Sequence, residues 1–237
     1  MKKIFISIGL AICLCITAFF IYVNDYYHAE EDAIAVMSLS DSIAIEENEN
    51  DIAFVPKNAE AGFIFYPGGK VAAESYAPLM KECANQGILC ILVKMPFNLA
   101  VFNINGAKGI QERYDIEKWY IGGHSLGGSM AASYVSNHVD EYDGLVLLAS
   151  YSTEDLSDTD LEVLSIYGSE DQVLSMDKYE ENKINLSSNY KEYVIEGGNH
   201  AYFGNYGEQD GDGVASITHD EQISITVNYI YENIVNE

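Results

Sequence analysis

Arginine is all but missing from this sequence. Arg113 is the single one, and lysine and arginine together number 12 against 37 aspartates and glutamates. A formal net charge of −25 repels nucleic-acid phosphates and anionic lipid headgroups, so nucleic acid is not an expected partner. The shortage of guanidinium forks also argues against phosphate-rich substrates. Cysteine is scarce as well, at four residues. Cys13 and Cys15 lie in the apolar N-terminal run. Cys83 and Cys90 fall at the end of an expected helix and in the following strand, and read as two buried thiols. A disulfide between them is the alternative in an oxidising compartment. No Cys-x-x-Cys pair and no His/Cys spacing marks a metal site, so neither a metal nor another cofactor is expected. Asp210-Gly211-Asp212-Gly213 has the composition of a calcium loop but lacks the EF-hand spacing and terminal glutamate. Internal repeats and low-complexity segments are also absent.

One long apolar run is present. Residues 4–23 carry no charge and follow Lys2 and Lys3, and acidic residues begin at Asp25. Twenty residues at ~1.5 Å rise span a ~30 Å hydrocarbon layer. The charge order predicts a cytoplasmic N-terminus and an extracytoplasmic C-terminal domain. The run reads as an uncleaved signal anchor; a cleaved signal peptide is the alternative, and no clean A-x-A site follows closely. Three regions follow from this: 1–23 as a transmembrane helix, 24–50 as a juxtamembrane linker with a possible edge strand, and 51–237 as a catalytic domain. Within the second, Val36-Met37-Ser38-Leu39 and Ile43-Ala44-Ile45 are weakly strand-like. The latter and Ile52-Ala53-Phe54-Val55 should form an antiparallel sheet edge.

From Gly62 onward apolar strands alternate with helices, which predicts a mostly parallel sheet covered on both faces. The strands centre on Phe63–Tyr66, Ile88–Val93, Trp119–Ile121, Gly144–Ala149, Leu161–Tyr167 and Glu192–Ile195. Helices are expected from Ala77 to Gln86, after Ser125, near Met176–Glu181 and from His219 to Val235, with a weaker one from Asn105 to Tyr114. Functional residues of such sheets follow the carboxyl ends of the strands.

The sequence is organised around Gly122-Gly123-His124-Ser125-Leu126-Gly127-Gly128. A strand leads into it and a helix leads out, so Gly-x-Ser-x-Gly here has the setting of a nucleophile elbow. A serine hydroxyl needs a base, and the base an orienting acid. Of the five histidines, His200 alone follows a strand through a short loop, Glu196-Gly197-Gly198-Asn199, and is the candidate base. His28 lies in the linker, His138 and His219 near helix ends, and His124 is expected to point away from Ser125. Asp171, after the strand ending at Tyr167, is the leading acid, with Glu170 its competitor. Oxyanion donors are expected from the Leu126 N–H and from the loop Pro67-Gly68-Gly69-Lys70, where Gly69 is preferred and Lys70 is the neighbouring alternative. Lys70, Met95, Phe97, Tyr202 and Phe203 lie near strand ends as possible pocket residues, with plain packing an equal reading for the apolar four.

Taken together, Phe65-Tyr66-Pro67-Gly68-Gly69-Lys70-Val71, Val93-Lys94-Met95-Pro96-Phe97-Asn98-Leu99-Ala100, the elbow, and the Gly197–Gly207 stretch resemble the α/β-hydrolase superfamily. The likeness is specifically to its compact bacterial "alpha/beta hydrolase fold-5" group, related to dienelactone hydrolases and carboxylesterases. The resemblance spans roughly residues 50–237 and implies an α/β-hydrolase fold with a Ser125, Asp171, His200 triad. Residues 149–161 leave room only for a short loop where many lipases insert a lid, so no sizeable lid domain is expected. The function expected is hydrolysis of small or soluble esters by a membrane-anchored carboxylesterase-type enzyme. Acyl transfer to a cell-envelope acceptor and a non-catalytic binding module are the alternatives. Oligomeric state is not legible in the sequence.

Overall fold

The computed structural model describes residues 2–38 and 42–236. Two short strands, β1 (Ile43–Glu47) and β2 (Asp51–Pro56), are followed by β3 (Ala61–Tyr66), β4 (Ile88–Val93), β5 (Trp119–His124), β6 (Gly144–Leu148), β7 (Glu162–Gly168) and β8 (Tyr190–Ile195). All eight join one sheet in the order β1-β2-β4-β3-β5-β6-β7-β8. β1 and β2 pair antiparallel, β2 runs antiparallel to β4, and the remaining pairs are parallel. The expected antiparallel edge is therefore present.

Alternation along the strands divides the core into two layers, as the period of two requires. On β3, Phe63 and Phe65 pack with α3 (Ala77–Asn85) and α6 (His219–Ile234) on one face. Ile64 and Tyr66 face the other way, toward α4 (Leu126–Val135). Every residue of β3, β4, β5 and β6 is buried, which explains why these strands read as continuous apolar runs. Cys83 and Cys90 are buried free thiols, and burial comes first among the causes raising the Cys90 thiol well above its ordinary pKa. The connection from β6 to β7 carries no helix, so no lid covers that side.

Two expectations give way. Asn105–Tyr114 is not an α-helix but a series of tight 3₁₀ turns, at Ile104–Ala107 and Gln111–Arg113. Gly109 between them has φ +75°, a left-handed conformation that stops a helix from continuing. The single arginine belongs to this segment and pairs with buried Asp51 at 2.9 Å, so its fork is used for structure. Val36, expected in a strand, ends the short helix α2 (Glu31–Val36), and Met37-Ser38 turn behind it. Leu39 lies outside the described residues.

α1 (Lys2–Asn24) is long and apolar enough to cross a membrane, with a mean hydropathy of 2.1 over Ser7–Asn24; an N-terminal signal sequence has the same character. The stretch after it lies docked on the domain. Tyr27 N–H donates to the Lys70 carbonyl at 2.7 Å, and Ala72 N–H donates to the Tyr27 carbonyl at 2.9 Å. Asp25 pairs with Lys70 at 3.0 Å, and Glu30 N–H donates to the Asn205 carbonyl.

α4 sits unusually close to β3. A Cβ at Gly127 would stand 2.2 Å from the Tyr66 carbonyl oxygen and 2.3 Å from that of Pro67. Replacing a helical glycine by alanine ordinarily gains about 1 kcal/mol of helix propensity. Here the backbone collision should reverse the sign: Gly127→Ala should lose about 2 kcal/mol, seen as a lower urea midpoint at unchanged slope. A midpoint at or above that of the wild type would mean that α4 is free to move off β3.

Candidate active site

The sharp turn between β5 and α4 puts Ser125 at φ +51°, ψ −123°. A non-glycine residue there is strained by about 1–3 kcal/mol, and the surrounding structure must hold it. Ser125 N–H donates to the Leu148 carbonyl at 2.9 Å, and the Ser125 carbonyl accepts from Ser150 Oγ at 2.7 Å. Glycine at 123 is required for the same closeness as at 127, since a Cβ there would meet the Tyr66 carbonyl oxygen at 2.4 Å. Leu126 opens α4, so its N–H belongs to the first turn, where helix donors have no partner within the helix.

Asp171 follows β7 and His200 follows β8. Their side chains meet, His200 Nδ1 lying 2.8 Å from Asp171 Oδ2, and both are almost fully buried. The other carboxylate oxygen of Asp171 accepts from the N–H groups of Val173 and Leu174, each at 2.8 Å. Asp171 thus has both oxygens engaged, one on the imidazole and one on its own turn. Glu170 points elsewhere, with the Ser169 hydroxyl at 3.3 Å from its carboxylate.

Ser125, Leu126 and His200 share a cavity of about 360 Å³, completed by Ser129, Ala149, Ser150, Tyr151, Val173, Leu174, Ser175 and Lys178. A cavity of about 390 Å³ lies at the amino ends of β7 and β8, against Tyr120, Glu162, Tyr190 and Asn233. The carboxyl ends of parallel strands are where such folds bind ligands, and the Ser125 cavity opens there.

The loop after β3 comes up beside the serine. A Cβ on Gly69 would touch the Leu126 side chain at 2.9 Å, so the two expected oxyanion donors are neighbours. Lys70 N–H donates to the Asn98 carbonyl at 2.7 Å and is thereby committed elsewhere. The expected pocket residues do not line the cavity. Lys70 carries its ammonium to Asp25. Met95 and Phe203 are buried in the core, and Phe203 lies against the His124 ring at 5.6 Å. Tyr202 lines a different hollow with Glu30 and Gly207, and Phe97 is exposed beside α1. The cavity walls come instead from the ends of β6 and β7, through Ala149, Tyr151 and the 173–178 stretch.

Sequence reasoning missed the residues that hold the candidate acid and the candidate base in place. Asp212 accepts from Ala201 N–H at 2.9 Å through one oxygen and from Gln172 N–H at 3.3 Å through the other. It therefore ties the residue after His200 to the residue after Asp171. Gln222 on α6 exchanges two hydrogen bonds with the Asn199 backbone, at 3.0 and 2.8 Å. His124 was also underestimated. It is buried with its ring 4.5 Å from that of His200, and its Nδ1 lies 2.7 Å from the Tyr76 hydroxyl. That hydroxyl also accepts from Gly68 N–H at 3.1 Å. Burial pushes the Tyr76 pKa upward and keeps the hydroxyl protonated. A single chain of contacts thus joins the β3 loop to the ground beneath His200. A glycine-rich loop and a histidine in the elbow were the only sequence signals of it.

Comparison with known proteins matches this architecture. The Alpha/beta hydrolase family profile matches residues 62–224, more than half of the chain. The fold resembles that of a protein from Thermoplasma acidophilum described as a predicted CIB-like hydrolase. The TM-score is 0.59 at 15% identity, over 81% of this chain and 100% of that one. It also resembles TT1662 from Thermus thermophilus, with a TM-score of 0.60 at 13% identity, over 81% and 98% of the two chains. No curated protein matches in sequence. At such identities the two structures speak for the fold alone, but the family match, the sheet order and the strand–turn–helix around Ser125 agree, and this chain belongs to the alpha/beta hydrolase family.

Proposed function

We propose that the protein is a membrane-anchored, extracytoplasmic serine hydrolase of the carboxylesterase type, acting on small or soluble esters. The observation that carries this reading is the 2.8 Å pair between His200 Nδ1 and Asp171 Oδ2, with His200 lining the same cavity as Ser125. Asp171 fixes the tautomer of His200, leaving Nε2 as the base that takes the Ser125 proton. Ser125 Oγ attacks the ester carbonyl, and the N–H groups of Leu126 and Gly69 hold the resulting oxyanion. Each such donor is typically worth about 3 kcal/mol in the transition state. His200 then gives its proton to the departing alcohol. Water, deprotonated by the same imidazole, cleaves the acyl-enzyme and restores the serine. The open side between β6 and β7 suits soluble esters. The anchor rests on the length and hydropathy of α1 and on the charges around it.

A fluorophosphonate probe should label the wild type and leave Ser125→Ala unlabelled. A folded wild type that takes no label would remove the nucleophile from this reading. Asp212→Asn should lower kcat about tenfold with KM little changed, because it loosens the grip on the backbone flanking the acid and base. An unchanged kcat would show that the two loops hold their places without it.

Acid should also act through His124. Burial first, and the neighbouring His200 second, hold its imidazole well below the ordinary 6.5, so it stays neutral in the folded protein. Below its unfolded-state value the unfolded chain takes up a proton that the folded chain refuses. The stability associated with neutral His124 is therefore full above about pH 6.5 and falls by roughly 1.4 kcal/mol per pH unit below it. Melting temperatures recorded from pH 7 to 5 should decline, and His124→Gln should flatten the decline. An identical slope in that variant would assign the acid sensitivity to other groups.

A further inference from the structure

The 96–103 stretch, between β4 and the 3₁₀ turns, has no part in the chemistry above, yet it presents large apolar side chains to the outside. Phe97 is 46% exposed, Val101 45% and Phe102 51%. Isolated exposed apolar residues are ordinary, but three in one patch mark an interaction surface. The patch is continuous with α1. Phe19 stacks edge-on against Phe97 at 5.4 Å and against Phe102 at 5.9 Å, and Phe20 lies 6.5 Å from Phe97. α1 ends at Asn24. Phe19 and Phe20 therefore sit four to five residues below its end, a depth of about 6–8 Å at 1.5 Å per residue.

We infer that Phe97, Val101 and Phe102 are immersed in the outer leaflet of the bilayer that α1 crosses, and hold the catalytic domain against the lipid surface. The inference rests on the anchored reading of α1. If α1 spans the membrane, rings packed on its last turns lie at that same depth, which is the depth to which interfacial apolar faces sink. The neighbouring groups suit a headgroup layer. Tyr22 lies 4.6 Å beneath the Lys70 ammonium, an aromatic ring and a cation at the level where both are enriched. In a chain with 37 acidic residues, residues 83–111 contain none, while Lys94 and Lys108 fall inside the stretch; Lys94 pairs with Glu47 of β1 at 2.8 Å. The strongly negative surface elsewhere keeps other faces of the domain away from anionic lipid. The immersed stretch is also tied to the site, since the Asn98 carbonyl accepts from Lys70 N–H in the β3 loop. The occupant is the acyl-chain and glycerol region of a lipid bilayer.

The test uses the full chain in phosphatidylcholine nanodiscs, with lipids brominated near the top of the acyl chains as the quencher. The native Trp119 opens β5 at the end of the sheet away from Ser125 and is buried, so it supplies an unquenched background. Phe102→Trp should lose about half of its added emission in brominated discs. Val101→Trp serves as the second variant should the first misfold. Ile184→Trp, at a position 81% exposed just after the helix α5 (Met176–Asn182), should lose none. A chain that incorporates into the discs with Phe102→Trp and Val101→Trp unquenched overturns the immersion alone and leaves the anchor standing; burial of the patch in a dimer would give that result. A chain that fails to incorporate overturns the anchor and the immersion together. Probe labelling of Ser125 reports on the hydrolase chemistry independently of both.

Discussion

Ser125 cannot reach into its cavity unless the chain turns from strand to helix within one residue, and that turn exists only because α4 lies against the backbone of β3. The contact has no side chain in it. Gly123 and Gly127 present bare Cα atoms to the carbonyls of Tyr66 and Pro67, and any Cβ there would come within 2.4 Å of an oxygen. Once the helix is seated so closely, the first-turn N–H groups of α4 are brought up to the loop after β3, and Leu126 meets Gly69. The positions of the candidate nucleophile and of the candidate oxyanion donors are thus consequences of one packing distance. Strain gathers around it. The non-glycine residues with positive φ among the described residues are Lys70, Phe97, Asn98, Ser125 and Ala149. They follow β3, β4, β5 and β6 in turn, along the edge of the sheet where the cavity opens. At about 1–3 kcal/mol each, such conformations persist only where the surroundings over-determine them. The bonds from Lys70 N–H to Asn98, from Ser125 N–H to Leu148 and from Ala149 N–H to Ile166 are part of that restraint.

The candidate acid and base are held by a different device. Among the described residues, β7 and β8 are the last strands at their edge of the sheet, with no further strand beside β8 to fix the loops that follow. Buried and half-buried polar groups do that work. Asp212 and Gln222 are each divided between two donors or acceptors on the backbone of these loops, and Asn199 links the His200 loop to Gly213 at 2.9 Å. Buried polar groups satisfied in this way fix geometry more firmly than apolar packing does, because every slip strands a donor or acceptor. The position of His200 therefore depends on residues from the 208–213 loop and from α6, well outside the strand that delivers it.

This division accounts for what the sequence disclosed. Local pattern was sufficient wherever position followed from a strand's end: Ser125 after β5, Asp171 after β7, His200 after β8, and the glycine loop after β3. Apolar runs gave the buried strands because both faces of the sheet are covered. The expectation for Asn105–Tyr114 went astray because its apolar spacing suits a helix while Gly109 takes the left-handed conformation that ends one. Asp212 and Gln222 were invisible for another reason. Their partners are backbone N–H and carbonyl groups, which every residue carries, so no residue type in the sequence announces the match. The walls of the cavity were misplaced for a related one. Met95 and Phe203 stand at strand ends, as pocket residues do, but their side chains turn into the core, while Tyr151 and Lys178 reach the cavity from loop and helix.

The segment after α1 shows how far such long-range matches extend. By composition, 24–30 reads as a tether whose only requirement is length. Yet Tyr27 adds a parallel bridge to Val71, and with Asp25 it engages the carbonyl and the ammonium of Lys70. Lys70 is itself in the left-handed region, with its N–H bonded to Asn98, so main-chain bonds from both sides fix its conformation. Gly69 precedes it directly. Rotation about a backbone moves the adjacent peptide, so whatever holds Lys70 also limits where the peptide between residues 69 and 70 can point. The orientation of α1 and the shape of the β3 loop are therefore not independent. A residue pair at the foot of the apolar helix and a donor loop beside the candidate nucleophile form one continuous hydrogen-bonded structure.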